Sequence, residues 1–497
     1  MSVIGLRKNR KAIIMDRDTI GAISTGLTNS GIGIVRIVGS RSFEIADKII
    51  RGSKSIADLP SHTINYGHVF DGENIVDEVL VSVMRAPRTY TGEDTVEINC
   101  HGGSFVVSKV LELVITNGAR LAEPGEITKR AFLNGKMDLS QSEAVIDIIN
   151  AKNDYALKNS IHQLKGSVKK RVGKWREKIV YETAVLEAML DDPENYDEKG
   201  YDIRLKRTVE EIIQELEKLI RKSDEGRILT EGIQTVIVGK PNVGKSSLLN
   251  VLVGKERAIV TDIEGTTRDA LEERVNLGGL SLNVVDTAGI RETDDIIEKI
   301  GVDKAREYVE KGDLVIYVID ASVPLDSNDE KIIPVISHKK CIVLLNKSDL
   351  ESVVDKEEVQ EKLQKAKKEM GEAGFSENNL AKKGEESHTM ALTPIIEISA
   401  KEELGIENFE KVLKDMFEEG LIHFDDEVLI SNMRQKEALV DALNSLQRVV
   451  ESIGAGLSED FYGIDLMDAY ESLGKIIGET VGEDLIHEIF GKFCVGK

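Results

Sequence analysis

The chain has 497 residues, enough for roughly three domains, and 88 acidic residues against 65 basic ones leave a formal charge of −23. That balance excludes broad, sequence-independent binding to nucleic acid by counterion release but leaves room for a local basic patch, and no run of about 18 apolar residues offers a membrane span. Cys100, Cys341 and Cys494 are scattered without a Cys-x-x-Cys pair, which predicts a reducing, cytoplasmic setting and no structural zinc; the apolar piece after the basic start Leu6–Lys11 is too short for a secretion signal.

In chain order, residues 17 to about 135 read as an α+β domain. Gly31–Gly39, Thr63–Phe70, Val79–Met84 and Thr95–Cys100 predict strands, and Ser104–Asn117 predicts a helix. The Gly-x-Gly at Gly31 and Gly33 precedes a strand instead of joining strand to helix, so it is not a dinucleotide fingerprint. From about Ser140 to Arg227 the pattern turns helical, with apolar positions at three- and four-residue spacing over Trp175–Met189, a break at Asp191–Asn195, and an amphipathic run over Thr208–Lys222. Helices resume over Met433–Ile453 and Asp465–Ile477. One helical domain with the middle of the chain inserted into it fits this order, as do two separate helical domains. Residues 355 to 390 predict a helix followed by a solvated loop.

The middle of the chain carries the chemistry. Gly239-Lys240-Pro241-Asn242-Val243-Gly244-Lys245-Ser246-Ser247 lies between the β-branched Thr235–Val238 and a helix start at Ser247–Leu252. In such a turn the backbone N–H groups cradle phosphate oxygens. Lys245 reaches the β- and γ-phosphates and the Ser246 hydroxyl binds Mg²⁺. Asp286-Thr287-Ala288-Gly289 follows an apolar strand end at Leu282–Val285; its Asp suits the Mg²⁺ shell through water and its Gly amide suits the γ-phosphate. Asn346-Lys347-Ser348-Asp349 follows Ile342–Leu345, and Asp349 can accept the N1–H and exocyclic N–H of guanine but finds no such pair on adenine. Ser399-Ala400-Lys401 follows Ile395–Ile398, where amides can meet the guanine O6. These patterns, in order and each at a strand end, predict a GTPase on a doubly wound parallel sheet. Gly265-Thr266-Thr267 supplies the threonine that closes the second Mg²⁺ contact; both threonines fit, with Thr267 preferred. Ala258–Thr267, including Thr261, Asp262, Ile263 and Glu264, forms the first switch around the nucleotide. Where Ras-like enzymes place a water-orienting Gln, this chain has Ile290, so hydrolysis needs another group. The candidates lie in Arg291-Glu292-Thr293-Asp294-Asp295 and at Glu298, and any single acid among them also reads as a helix-start carboxylate.

Taken together, the chain resembles the tRNA-modification GTPase family MnmE, also called TrmE, from Asp18 to Lys497. The resemblance is carried by Asp18-Thr19-Ile20, Gly33–Arg36, Tyr90–Asp94, Cys100–Gly103, Pro124–Glu126, Lys129–Lys136, the GTPase motifs and the terminal Phe493-Cys494-Val495-Gly496-Lys497. It implies a folate-binding, dimerising α+β domain over 17–136, a helical-bundle domain over 137–230 and 423–497, and an inserted α/β Ras-like P-loop GTPase domain over 231–422. It implies a cytoplasmic homodimer that works with the flavin-dependent partner MnmG at C5 of the wobble uridine of certain tRNAs, with tRNA met mainly through that partner and no membrane involved. Arg36, Glu97, Lys136 and Lys497 contact a folate such as 5-formyltetrahydrofolate in this reading, whose carboxylates suit the cations. K⁺ is held by the Asn242 side chain and the Thr261, Ile263 and Thr266 carbonyls, doing the work of an arginine finger. Glu298 matches the family's water-orienting acid, and Cys494 its terminal cysteine, a residue equally suited to a structural role. The basic stretch before Asp18, the Ala373–Met390 loop and Asn29-Ser30, expected in a loop, depart from the family pattern. A regulatory GTP-binding switch in ribosome assembly or stress, and a folate-dependent one-carbon transferase with an accessory GTPase, are the rival readings.

Overall fold

A computed structural model of the chain describes residues 18–151, 153–191, 200–254, 273–284, 308–372, 392–418, 430, 432–493 and 496. It divides into two compact units, the first built from residues 1–150, 159–217 and 433–497, the second from 151–158 and 218–432.

The first unit opens with a sheet in the order β3-β4-β5-β6-β2-β1-β7, formed by Ile20–Ile23 (β1), Ser30–Val38 (β2), Ile50–Gly52 (β3), Thr63–Asp71 (β4), Asn74–Met84 (β5), Thr95–Gly102 (β6) and Arg120–Leu121 (β7). Only the β1–β7 pair is parallel. The period-2 alternation of Val79, Val81 and Val83, with Val96 and Ile98 beside them, turns one face into a core. That core also takes in residues of Ser42–Ile49 (α1) and Ser104–Thr116 (α2). Gly33 explains the glycine pattern, because a Cβ there would stand 2.3 Å from the Val107 side chain of α2; the glycine lets helix and strand approach. Ser30, expected in a loop, instead opens β2, paired with Gly102 across a register shift before Gly33. The other face leaves Ile64, Tyr66 and Leu80 exposed.

Glu126–Leu133 (α3) and Leu139–Asn150 (α4) lead to Asp154–Leu164 (α5), Ser167–Asp191 (α6) and Tyr201–Glu231 (α7), of which the start of α5 and the end of α7 belong to the second unit; Met433–Gly454 (α12), Glu459–Ile477 (α13) and Glu483–Gly491 (α14) complete the helices of the first. Trp175, 1% exposed, donates its Nε1–H to Glu215 at 2.8 Å. Arg434 of α12 forks onto Glu143 of α4 with both contacts at 2.8 Å, and the Gln435 amide adds a third at 2.7 Å, so the early and late helical segments are joined by buried, charge-assisted hydrogen bonds. Phe132, Leu139, Phe490 and Phe493 form a smaller core between α3, α4 and α14.

The second unit is a sheet in the order β13-β12-β11-β8-β10-β9, made of Ile233–Val238 (β8), Glu273–Leu277 (β9), Leu280–Val284 (β10), Leu314–Asp320 (β11), Cys341–Asn346 (β12) and Ile395–Glu397 (β13). All neighbours are parallel except the hairpin of β9 and β10. Lys245–Gly254 (α8) and Ile406–Glu418 (α11) share one apolar cluster with the sheet; Ser327–Ile336 (α9) and Lys356–Glu372 (α10) share the other. Chain order runs outward from β8 in both directions, to β10 on one side and β11 on the other. The strand ends beside β8 are therefore a topological switch point, where α/β sheets take ligands. Cys341 is buried in this sheet, and burial pushes its thiol up to about 12.

Candidate nucleotide site

β8 ends at Val238, and the chain turns at once into the glycine loop. Gly239 has φ +154 and Gly244 φ +100; a Cβ on Gly239 would meet the Val318 carbonyl oxygen at 2.4 Å, and one on Gly244 would meet the Asn346 amide at 2.1 Å. Only glycine lets the loop fold this tightly. Asn242 takes the left-handed conformation at φ 60, which Asn tolerates, and its side chain is exposed. Val243 is buried. The Lys245 ammonium arches over the loop, donating to the carbonyls of Gly239 at 2.9 Å and Lys240 at 2.6 Å. Ser246 and Ser247 stand exposed in the first turn of α8, where the helix dipole favours anions.

The second half of the site is built on the ends of β12 and β13. Asn346, 2% exposed, donates its Nδ2–H to the Val243 carbonyl at 2.7 Å and accepts the Ala400 amide on Oδ1 at 2.9 Å. One side chain thus brackets the phosphate loop and the Ser399–Ala400 loop. The Ala400 amide, expected to face guanine O6, is engaged by Asn346, and the Ser399 amide donates to the Leu404 carbonyl. Asp349 is exposed, its carboxylate accepting from the Ser399 hydroxyl at 2.7 Å; that hydrogen bond holds its carboxyl below the ordinary range. Lys347, at φ 65, reaches Asp320 at 2.6 Å. Burial tends to raise the Asp320 carboxyl, yet Lys347 and Ser322 hold it below the ordinary range.

Lys240, Asp326 and Asp329 were not among the residues singled out in the sequence. Lys240 is 9% exposed and sits 2.7 Å from Asp329 and 3.1 Å from Asp326. Although burial pulls its ammonium down, the two carboxylates hold it above the usual value. Asp329 also accepts the Tyr317 hydroxyl at 2.7 Å and forms a capping box with the exposed Asp326 at the start of α9, so a network with a buried centre at Asp329 ties the phosphate loop to α9 and β11. The Asp-x-x-Asp spacing ahead of Ile332-Ile333 is the capping signal that could have found it.

Thr261, Asp262, Ile263, Glu264, Gly265, Thr266 and Thr267, then Asp286, Thr287, Ala288, Gly289, Ile290, Arg291 and Glu298, lie outside the described residues, as do Cys494 and Lys497. In the first unit Arg36 and Glu97, paired across β2 and β6, form an ion pair at 2.7 Å, half-buried. The exposed Lys136 donates to the Pro87 carbonyl at 3.0 Å, and its stem packs 3.4 Å from where a Cβ on Gly92 would stand. Gly496 lies against β1: Ser24 donates to its carbonyl at 3.2 Å, and a Cβ there would collide with the Ile23 carbonyl oxygen at 2.0 Å.

Residues 19–136 match the family model described as the GTP-binding protein TrmE N-terminus, and residues 139–494 match the MnmE helical domain. A tRNA modification GTPase MnmE from Lachnoclostridium phytofermentans is 52% identical over 97% of this chain and 100% of its own length. Relatives of the same name from Acetivibrio thermocellus and Carboxydothermus hydrogenoformans are 45% and 47% identical, each over 97% of this chain and over 99% and 100% of their own. Among solved structures, the FeoB G-domain from Methanococcus jannaschii covers 37% of this chain and 97% of its own at 22% identity, with a TM-score of 0.24, too low to bear on the fold. A likeness this high, sustained along nearly the whole sequence and through both flanking regions, means that the chain belongs to the MnmE family of tRNA modification GTPases.

Proposed function

We propose that this chain, a GTP hydrolase acting in tRNA modification, is a K⁺-dependent GTPase that works with the flavoprotein MnmG. Together they install an aminomethyl-type group, of the carboxymethylaminomethyl class, at C5 of the wobble uridine U34 of certain tRNAs, with GTP hydrolysis driving pairing of two GTPase domains in a cytoplasmic homodimer. The observation that carries the GTPase part is the Asn346 bracket, which binds the phosphate loop and the guanine loop into one site at the switch point beside β8.

The residues present fit the cations. Ser246 is exposed at a helix N-terminus, and Asn242 is exposed in the loop between Gly239 and Gly244, where a Cβ on either glycine would collide with the Val318 carbonyl or the Asn346 amide. Ser246 and Thr267 would hold Mg²⁺, with Asp286 behind water; Asn242 and the carbonyls of Thr261, Ile263 and Thr266 would hold K⁺. Those cations supply charge neutralisation between the β- and γ-phosphates. The chain's own groups do the rest: Lys245 and the loop amides orient the phosphates, Asp349 and Lys347 select and hold guanine, and Glu298 orients the attacking water, a task Ile290 cannot perform.

A folate such as 5-formyltetrahydrofolate would lie by Arg36, Glu97, Lys136 and Lys497. The half-buried Arg36–Glu97 pair supports this, as does the seating of Gly496 on β1, whose Ala22 lies opposite Arg36. The exposed Ile64, Tyr66 and Leu80 support pairing of two copies through the N-terminal sheet. GTP turnover measured in K⁺ and in Na⁺, on the unaltered chain and on Glu298→Ala, tests the mechanism. We expect turnover in K⁺ only, and nucleotide binding without turnover in the variant. Equal rates in the two salts would remove K⁺ from the reading, and retained turnover in the variant would remove Glu298.

A further inference from the structure

The first unit contains an open cleft of about 1090 Å³ whose chemistry contradicts the rest of the chain. Overall charge is −23, yet Lys165 to Lys178 holds seven basic residues and one acid. Helical spacing gathers much of that charge on one side: Lys169, Lys170 and Lys174 line the cleft from α6, joined by Lys165 ahead of the helix. All four lysines are exposed. Lys169 lies 4.0 Å from Asp138, while Lys165, Lys170 and Lys174 have no ion pair among the described residues.

Deeper in the cleft, Arg176 is 7% exposed, held by Glu479 at 2.6 Å, with its guanidinium 4.0 Å from the Tyr470 ring centroid. Its buried Nε has no hydrogen-bond partner among the described residues. Tyr181 presents an aromatic side chain at the rim, 61% exposed. Between the lysines, Gly173 leaves bare helix backbone, and a Cβ added there would meet nothing within 4 Å. Packing does not call for that glycine; close approach of an extended ligand does.

We propose that this cleft is a docking surface for the phosphodiester backbone of a structured RNA, the tRNA substrate itself, so that the helical domain of this chain holds tRNA directly and not only through a partner protein. The inference rests on the tRNA-modification reading above and adds the place where the chain meets its substrate. Unpaired lysines on an exposed helix face suit phosphates, which they neutralise with release of counterions. An exposed tyrosine beside them suits an unstacked base. An acidic protein surface would use the lysines but leave the tyrosine and the bare backbone at Gly173 without a purpose.

The test is fluorescence anisotropy of a labelled tRNA transcript with the full chain, from about 50 to 200 mM salt. Lys170→Glu with Lys174→Glu should weaken binding about tenfold or more and flatten the slope of log K against log salt by about 2, near 0.9 per lysine removed. Lys170→Arg with Lys174→Arg should keep the affinity. Lys365→Glu with Lys411→Glu, exposed lysines of the other unit, should leave it unchanged, and GTP turnover should be the same in all. Unchanged tRNA affinity in the cleft variant, or equal loss in the control, overturns the proposal, whatever either variant does to protein partners. No tRNA binding by the unaltered chain at low salt overturns it too, while leaving GTP turnover standing; turnover lost with tRNA binding kept overturns the GTPase reading instead.

Discussion

The two sheets meet solvent in opposite ways. Every residue of β11 and β12 is buried, with a hydrophobic cluster on each face of that parallel sheet. In the antiparallel sheet, β5 alternates, so that Val79 and Val81 enter the core while Leu80 between them is 49% exposed. A parallel sheet covered on both faces has only its strand ends to offer a ligand, and the Asn346 bracket sits at such ends. A sheet covered on one face keeps a whole surface for a partner. Strand ends for a ligand and an open face free for a partner follow from how the strands are connected.

That contrast can be broken by substitution. The largest effect belongs to Ile316→Ala in β11, where a fully buried side chain leaves a cavity between two layers; it should cost about 4 kcal/mol, read as loss of the second unit's urea transition by circular dichroism. A cost below about 1 kcal/mol would mean that the parallel sheet is not the rigid element it resembles. Next is Glu126→Gln. Glu126 is 8% exposed and accepts from Arg120 and Arg130; leaving the buried Arg130 with fewer partners should cost the first unit about 3 kcal/mol. Trp175, the chain's single tryptophan, reports that transition. Burial pushes the Glu126 carboxyl up, but hydrogen bonds from Arg120, the Glu123 amide and Arg130 hold it below its ordinary 4.5. Its contribution is therefore complete above pH 4.5 and drains away as pH falls through the lower folded value. The variant should lack that acid limb.

Asn346→Ala should come third. It orphans the Val243 carbonyl and the Ala400 amide, and weakening of about 2 kcal/mol, roughly thirtyfold in Kd for a fluorescent GDP analogue, is expected. Nucleotide affinity within about twofold of the unaltered chain would show that the two loops hold their places without the bracket. The smallest effect on stability sharpens the comparison from the other side. Leu80→Ser on the open face should change the first unit's transition by less than about 0.5 kcal/mol, yet shift the chain toward monomer in sedimentation; a large loss of stability with no change in association would mean that this face belongs to the core.

Much of the site was legible because its signals are local. Gly239, Gly244 and Lys245 sit within one turn, and Asn346, Asp349 and Ser399 each follow an apolar strand, so residue types at short spacing carried the reading. What escaped was long-range. Nothing around Asn346 says that its amide spans 103 residues to Val243, or that Lys240 is buried against a helix cap 86 residues away. In the fold, β11 was passed over because an apolar run has no period of its own, and no nucleotide motif follows it as Asn346–Asp349 follows β12. The β9–β10 hairpin was also missed, although Gly278-Gly279, at φ 61 and 85, is the glycine pair its two-residue turn requires. The basic cleft was hidden by the net charge of the whole chain, an average that erases a local excess.

The fork of Arg434 onto Glu143 has a consequence for how the protein is made. Its partners are 291 residues apart, and the intervening sequence includes the whole second unit. At a synthesis rate of about 10 residues per second, Glu143 emerges roughly half a minute before Arg434 can reach it. The second unit's strands and helices all lie within that interval, so it can close on the ribosome while the helices of the first wait with an open seam. A nascent chain in that interval presents the apolar faces of α4 and α6 to solvent, and it is there that chaperones have something to hold.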